Sequence, residues 1–257
     1  MILGVIQARY SSTRLPGKVL LPVLGRPMLA LQIDRILRAE TLDKVVVATS
    51  TDSGDDAIET LCAAAGVDCY RGSLDDVLGR LYGAAERYGA GHVVRVTGDC
   101  PLSDPRVIDA VVALHLKGGY EYTSNVAPPT FPDGLDVEVV RMEVLAQANS
   151  AAELNLEREH VTVWIREHVP HDRRGNLLHD PDLSALRWTV DEPADLEFVR
   201  TICGALADSV PEFGLDDILE LLHQHPEYGA INAGIGRNEG FAKSVSEEDA
   251  YKKEGEV

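Results

Sequence analysis

Short apolar runs alternate with segments whose apolar positions recur every three or four residues through the first half of the chain. The runs at residues 2–6, 44–49, 67–70 and 92–97 predict strands, the first of them buried on both faces since it is apolar throughout. The periodic segments at 27–39, 55–65, 75–88 and 105–116 predict the helices between them; Leu29, Ile33, Ile36 and Leu37 share one side of the first. Repeated strand–helix units predict an α/β fold with a mostly parallel sheet flanked by helices. Ligands of such sheets bind beyond the carboxyl ends of the strands, which singles out the loops at 7–18, 49–55, 70–76 and 97–105. The second half is less regular. Strands are expected at 120–124 and 136–140 around a proline-rich excursion, a helix at 157–168, a strand at 187–190 feeding a helix from Pro193, and a last helix at 215–223.

Length and composition fit this reading. The 257 residues, 45% hydrophobic and 26% charged, can bury a core without disulfide or metal staples. One domain over residues 1–235 is expected, with a smaller subregion at about 120–185 and an acidic, mobile tail over 236–257. None of the four cysteines forms a C-x-x-C pair, so they are read as reduced thiols of a cytoplasmic protein. No basic leader and no membrane-length apolar run is present, so no membrane partner is expected. The net charge of −18 disfavours a nucleic-acid partner but not a small anion held by a few cations focused in a cleft.

Those cations have an obvious place. Residues 7–18, Gln-Ala-Arg-Tyr-Ser-Ser-Thr-Arg-Leu-Pro-Gly-Lys, follow the first strand, and Arg9, Arg14 and Lys18 bring three positive charges to small and hydroxyl neighbours whose backbone N–H groups can face an anion. The segment is neither G-x-x-x-x-G-K-[ST] nor G-x-G-x-x-G, which disfavours a kinase-like phosphate loop and a nicotinamide site. Asp99, in Thr97-Gly98-Asp99-Cys100-Pro101, and Asp191, in Val190-Asp191-Glu192-Pro193, both stand at predicted strand ends. Each alone reads as a turn or helix cap; two together suit magnesium, which takes one or two carboxylates and completes its shell with phosphate oxygens and water.

The 8–18 segment resembles the A-R-x-x-S-x-R-L-P-G-K signature of the bacterial CMP-sugar synthetases, the CMP-Kdo and CMP-sialate synthetase superfamily of cytidylyltransferases. The chain is most similar to the branch typified by spore-coat polysaccharide cytidylyltransferase-like proteins, through 71–78, 95–102, 122–125, 132–138, 158–162 and 187–196, in order. The match spans about residues 2 to 205. This resemblance implies a Rossmann-like nucleotidyltransferase fold, CTP as donor, Mg²⁺ as cofactor and a homodimer formed through about 125–170. It also implies that Lys18, Arg14 and Asp99 are catalytic, and that Ala8, Arg9, Ser11, Arg14, Lys18, Thr97 and Gly98 hold the nucleotide, with Arg71, Ser73 and Asp76 near its base. Asp99 and Asp191 would bind the metal. Arg158, His160 and Arg187 would grip a small anionic acceptor, with Asn125 and Asp136 as polar liners. Cys100 stands where Kdo synthetases tend to have glutamate, which argues for a differently shaped acceptor side. The implied reaction is transfer of CMP to a nonulosonic-type sugar acid with release of pyrophosphate. The alternatives are the same transfer to a small phosphonate such as phosphonoformate, glycosyl transfer from a finished nucleotide sugar, and a nucleotide-binding protein without turnover.

Overall fold

The computed structural model describes residues 1–237, so that all but the first two residues of the expected acidic tail lie outside the described residues. The chain begins with β1 (Ile2–Gln7) and passes a small ribbon, β2 (Pro22–Val23) and β3 (Arg26–Pro27), before α1 (Met28–Ile36). It continues through β4 (Lys44–Ser50), α2 (Asp56–Ala65), β5 (Asp68–Gly72), α3 (Val77–Arg87), β6 (His92–Thr97) and α4 (Pro105–Gly118). The second half contains β7 (Tyr122–Ser124), β8 (Glu138–Arg141), α5 (Met142–Ala151), α6 (Asn155–Glu159), α7 (Val163–His168), β9 (Arg174–Asn176), α8 (Pro193–Leu206), α9 (Leu215–Gln224) and α10 (Pro226–Gly229).

Seven strands form one sheet in the order β5-β4-β1-β6-β8-β7-β9. The first four are parallel, β8 runs antiparallel to both β6 and β7, and β9 pairs parallel with β7. The continuous apolar runs are explained by cores on both faces of this sheet. Ile6, Val45, Val47, Val94 and Val96 pack on the face covered by α1, α2, α4, α8 and α9. Leu3, Val5, Val46, Ala48 and Val93 point the other way, toward α3, α5 and α7. The chain leaves β1 toward β4 and returns on its other side as β6, so the strand order reverses between β1 and β6 and opens a crevice at their carboxyl ends.

Two expected elements differ. Residues 157–168 are divided between two short helices, because Val161 takes a left-handed conformation (φ 47°) that interrupts the helix between α6 and α7. Residues 187–190 are not a strand: only an isolated bridge pairs Arg187 with Asp133. That segment is tied instead to two loops, with Trp188 N–H donating to Asp133 O (2.6 Å) and Val190 N–H to Asp99 O (2.8 Å). It therefore crosses beyond the end of β6 rather than extending the sheet, and it delivers Asp191 beside Asp99.

Candidate active site

The crevice is a cleft of about 820 Å³ whose wall carries five cationic side chains, Arg9, Arg14, Lys18, Arg80 and Arg95, against three carboxylates, Asp99, Glu159 and Asp191. The whole chain has the opposite balance, 24 cations to 42 acids, so positive charge is concentrated here. The loop after β1 supplies most of one side, including Ala8, Ser11, Ser12 and Thr13. Gly17, at φ 67°, closes this loop by donating its N–H to Tyr10 O (3.0 Å). The Asp55 carboxylate anchors it by accepting from Tyr10 N–H (2.6 Å). Gly98 N–H donates to Gln7 O (2.7 Å), and a Cβ there would stand 2.8 Å from the Cβ of Ala8; only glycine lets the ends of β1 and β6 approach this closely.

Lys18 is the centre of the site. Its side chain is only 10% exposed, and its Nζ donates to Asp99 Oδ2 (2.9 Å) and Asp191 Oδ1 (2.8 Å). Arg14 reaches the same oxygen of Asp191 at 2.9 Å. Burial works against the ionised form of both Lys18 and Asp99, but their mutual attraction outweighs it: the Asp99 carboxyl is held well below the usual carboxylate range and the ammonium is raised. Asp191 is not the cap of α8. That work is done by Asp195, whose carboxylate accepts from the backbone N–H groups of Asp191 (2.9 Å) and Glu192 (3.0 Å), which leaves the Asp191 side chain to the cleft.

Of the other expected nucleotide residues, Ala8, Arg9, Ser11, Thr97 and Gly98 line the cleft and Arg71, Ser73 and Asp76 do not. Arg71 turns away to Ser50 O and Asp52 O (both 2.8 Å) and to Asp56 and Glu59. Asp76 caps α3 through Gly79 N–H (2.8 Å) and pairs with Arg158 (2.5 Å).

The acceptor candidates separate. His160 lines the cleft with Glu159, at the break between α6 and α7. Arg158 is spent on Asp76 and on Asn149 O (2.8 Å). Asn125 is fully buried and braces the excursion, donating to Leu135 O (2.7 Å) and accepting from Val137 N–H (2.9 Å). Arg187 is buried among Asp133, Asp191 and Asp195, all at 2.9–3.0 Å, where it fixes Asp191 rather than presenting a free guanidinium. Asp136 pairs with Arg237; burial pushes its carboxyl up to about 7 despite that cation, with Asp133 adding to the rise. Cys100 is 3% exposed and packs behind Asp99 against Thr97, so it does not shape the cleft surface directly. Gln7, Val77, Arg80, Arg95 and Glu159 line the cleft without having been anticipated as site residues. Arg80 carried a legible signal, a charge on the apolar side of an amphipathic helix; the others became cleft residues only through the sheet register and the turn at Val161.

A family model for cytidylyltransferases matches residues 3–183, which include every element that builds the crevice except the segment carrying Asp191. The chain belongs to the cytidylyltransferase family. It is 32% identical to the spore coat polysaccharide biosynthesis protein SpsF of Bacillus subtilis over 234 residues, covering 88% of this chain and 95% of that protein. A cytidylyltransferase structure from Leptospira borgpetersenii superposes with a TM-score of 0.84 at 32% identity, over 88% of this chain and 95% of that one. A structure of CMP:2-keto-3-deoxy-manno-octonic acid synthetase complexed with CTP shares the fold, with a TM-score of 0.62 at 21% identity over 79% of this chain and 98% of that one. As a cytidylyltransferase the chain is a nucleotidyltransferase that uses CTP to transfer CMP, which sets aside glycosyl transfer and a role confined to nucleotide binding. No helix among the described residues is long and apolar enough to cross a membrane.

Proposed function

We propose that this cytidylyltransferase joins CMP to an oxygen of a small anionic acceptor, a sugar acid of the nonulosonic type, and releases pyrophosphate. The observation that carries the reading is the convergence of Lys18 and Arg14 on Asp99 and Asp191 at the mouth of the crevice between β1 and β6. The acceptor's hydroxyl oxygen attacks the α-phosphorus, a new P–O bond forms, and the hydroxyl proton is released to solvent. The bond from that phosphorus to the bridging oxygen breaks, and its electron pair leaves with pyrophosphate. Negative charge grows on the bridging oxygen and the departing group, where the Lys18 ammonium and Arg14 guanidinium stabilise it. Lys18 is oriented into the cleft by Asp99 and Asp191, where its Nζ can donate to phosphate oxygens of CTP. Arg9 and the loop backbone hold the triphosphate, and Arg187 keeps Asp191 in place.

Two hard carboxylates facing one cationic position are a donor set that fits magnesium, although no group of three or more metal-type ligands occurs among the described residues. Asp99 and Asp191 would hold the ion, leaving room for phosphate oxygens and water. It would supply neutralisation of the triphosphate and of the departing pyrophosphate.

Phosphorus NMR of the protein with CTP and Mg²⁺, against one pool of 2-keto-3-deoxy sugar acids and one of small phosphonates, tests the reading. A phosphodiester signal beside pyrophosphate is expected with the sugar acids. A phosphonate–phosphate anhydride signal would move the acceptor to the phosphonates, and CTP left intact with both pools would overturn the anionic-acceptor assignment.

A further inference from the structure

Arg95 stands on β6 between Val94 and Val96, which pack on the α1 side of the sheet, so its side chain points to the opposite face with Val93. It lines the cleft, and its side chain is 15% exposed. Its Nε donates to Gln7 Oε1 on β1 (3.1 Å) and its Nη1 to Glu138 on β8, whose other oxygen accepts from the Tyr122 hydroxyl on β7. Side chains of four neighbouring strands thus form one polar chain across the sheet, which fixes the guanidinium by two of its three nitrogens. Nη2 has no hydrogen-bond partner among the described residues, and unlike the spare nitrogens of Arg80 it is not sealed from solvent. Burial lowers the pKa of His160, and the guanidinium groups of Arg95, Arg166 and Arg9 add to that fall against the pull of Glu159, so cations gather at this part of the wall.

A guanidinium preset by two bonds, with its third nitrogen open to a cleft, is suited to a carboxylate. Four arginines line the cleft among the described residues, and three of them have other work. Arg9 and Arg14 belong to the loop that holds the triphosphate, where Arg14 also reaches Asp191 (2.9 Å). Arg80 braces the loop between β5 and α3 through Ser73 O (2.6 Å), and its remaining nitrogens are buried. Arg158 and Arg187, the arginines expected to grip the acceptor, are bonded to Asp76 and to Asp133, Asp191 and Asp195. We infer that Arg95 Nη2 holds the carboxylate of the acceptor and is the contact by which the enzyme selects a sugar acid over its uncharged counterpart. The inference rests on the acceptor being a sugar acid. Gln7 and Glu138 are positioning residues that act through Arg95, since they order its side chain before the acceptor arrives.

Steady-state pyrophosphate release by the full chain with CTP and magnesium tests this, with 2-keto-3-deoxy sugar acids and their methyl esters as acceptors and with Arg95→Gln and Arg95→Lys beside the wild type. The wild type is expected to prefer the acid to the ester. Arg95→Gln is expected to raise the KM for the acid about tenfold to a hundredfold, the loss usual for a hydrogen bond to a charged group. The KM values for CTP and for the ester are expected to stay near those of the wild type. Arg95→Lys keeps a cation beside Glu138 but lacks the third nitrogen, so it is expected to lose the preference too, and it carries the test if Arg95→Gln does not fold. A KM for CTP that rises as much as that for the acid would make Arg95 a nucleotide contact, and an unchanged KM for the acid in both variants would make it a brace between β6 and β8; either overturns the inference while leaving the sugar-acid reading intact. A wild type that releases no pyrophosphate with any of the sugar acids overturns both.

Discussion

At the residue scale, Lys18 is the group on which the most depends. Few lysines are as buried as this one, and it is stable there only because Asp99 and Asp191 each stand within 3 Å of its Nζ. The same closeness poises it, since a triphosphate entering the cleft offers oxygens of higher charge than either carboxylate. Lys18→Ala is expected to lower the rate of pyrophosphate release from CTP by about a hundredfold or more, the loss usual when a preorganised cationic or hydrogen-bonding group is removed from a charge-developing site. A coupled pyrophosphate assay measures it, and undiminished turnover would remove Lys18 from the mechanism. Arg9, Arg14 and Lys18 were legible as a set in the sequence because they crowd one short loop after a strand. The pairing of Lys18 with two carboxylates 81 and 173 residues away was not, because it depends on where three separate loops end.

Among the elements, α4 is fastened to the sheet by a buried polar chain that takes no part in the cleft. His115, 1% exposed near the end of α4, has its Nε2 at 3.0 Å from His92 Nδ1 on β6 and its Nδ1 at 3.0 Å from Thr123 Oγ1 on β7. Burial, with His92 and Arg141 adding to it, pulls the His115 pKa down to about 4. An unfolded histidine titrates near 6.5, so between about 6.5 and 4 the unfolded chain binds a proton that the folded chain refuses. Stability is therefore complete above about pH 6.5 and falls as the pH drops toward 4, by up to about 3 kcal/mol from this group. His115→Gln, which keeps a polar side chain in place, is expected to flatten the dependence of melting temperature on pH between 7 and 5. An unaltered slope would show that other groups carry it. Periodicity predicted α4 well, but nothing in the sequence distinguishes His115 from a solvated residue of the last turn; only the pairing of β6 and β7 around β8 brings the partners to it.

For the whole molecule, the sheet order and one buried arginine decide how the halves of the chain meet. Arg187 joins Asp133 of the excursion, Asp191 of the cleft and Asp195 of α8, and Asn232 near the end of the described chain donates to Arg187 O (3.0 Å). A homodimer built through residues 125 to 170, implied by resemblance, belongs to this scale. Light scattering at micromolar concentration is expected to give twice 27.9 kDa. A monomeric mass would refute that assembly.

The sequence by itself determined the α/β class, the first four parallel strands with their helices, the cationic loop and the aspartate that follows β6. Each of these is local: a period, a run of charge or a turn signal lies within a dozen residues. Only the tertiary structure decided which of them meet. The reversal of strand order between β1 and β6 opens the crevice, Gly98 lets the two strand ends close up, and the crossing of 187–190 beyond β6 brings Asp191 to Lys18. It also withdrew Asn125, Arg158 and Arg187 into structural bonds and put Arg80 into the wall. Whether a polar side chain is free to act depends on which neighbours satisfy it, and those neighbours are fixed by contacts between residues far apart in the chain.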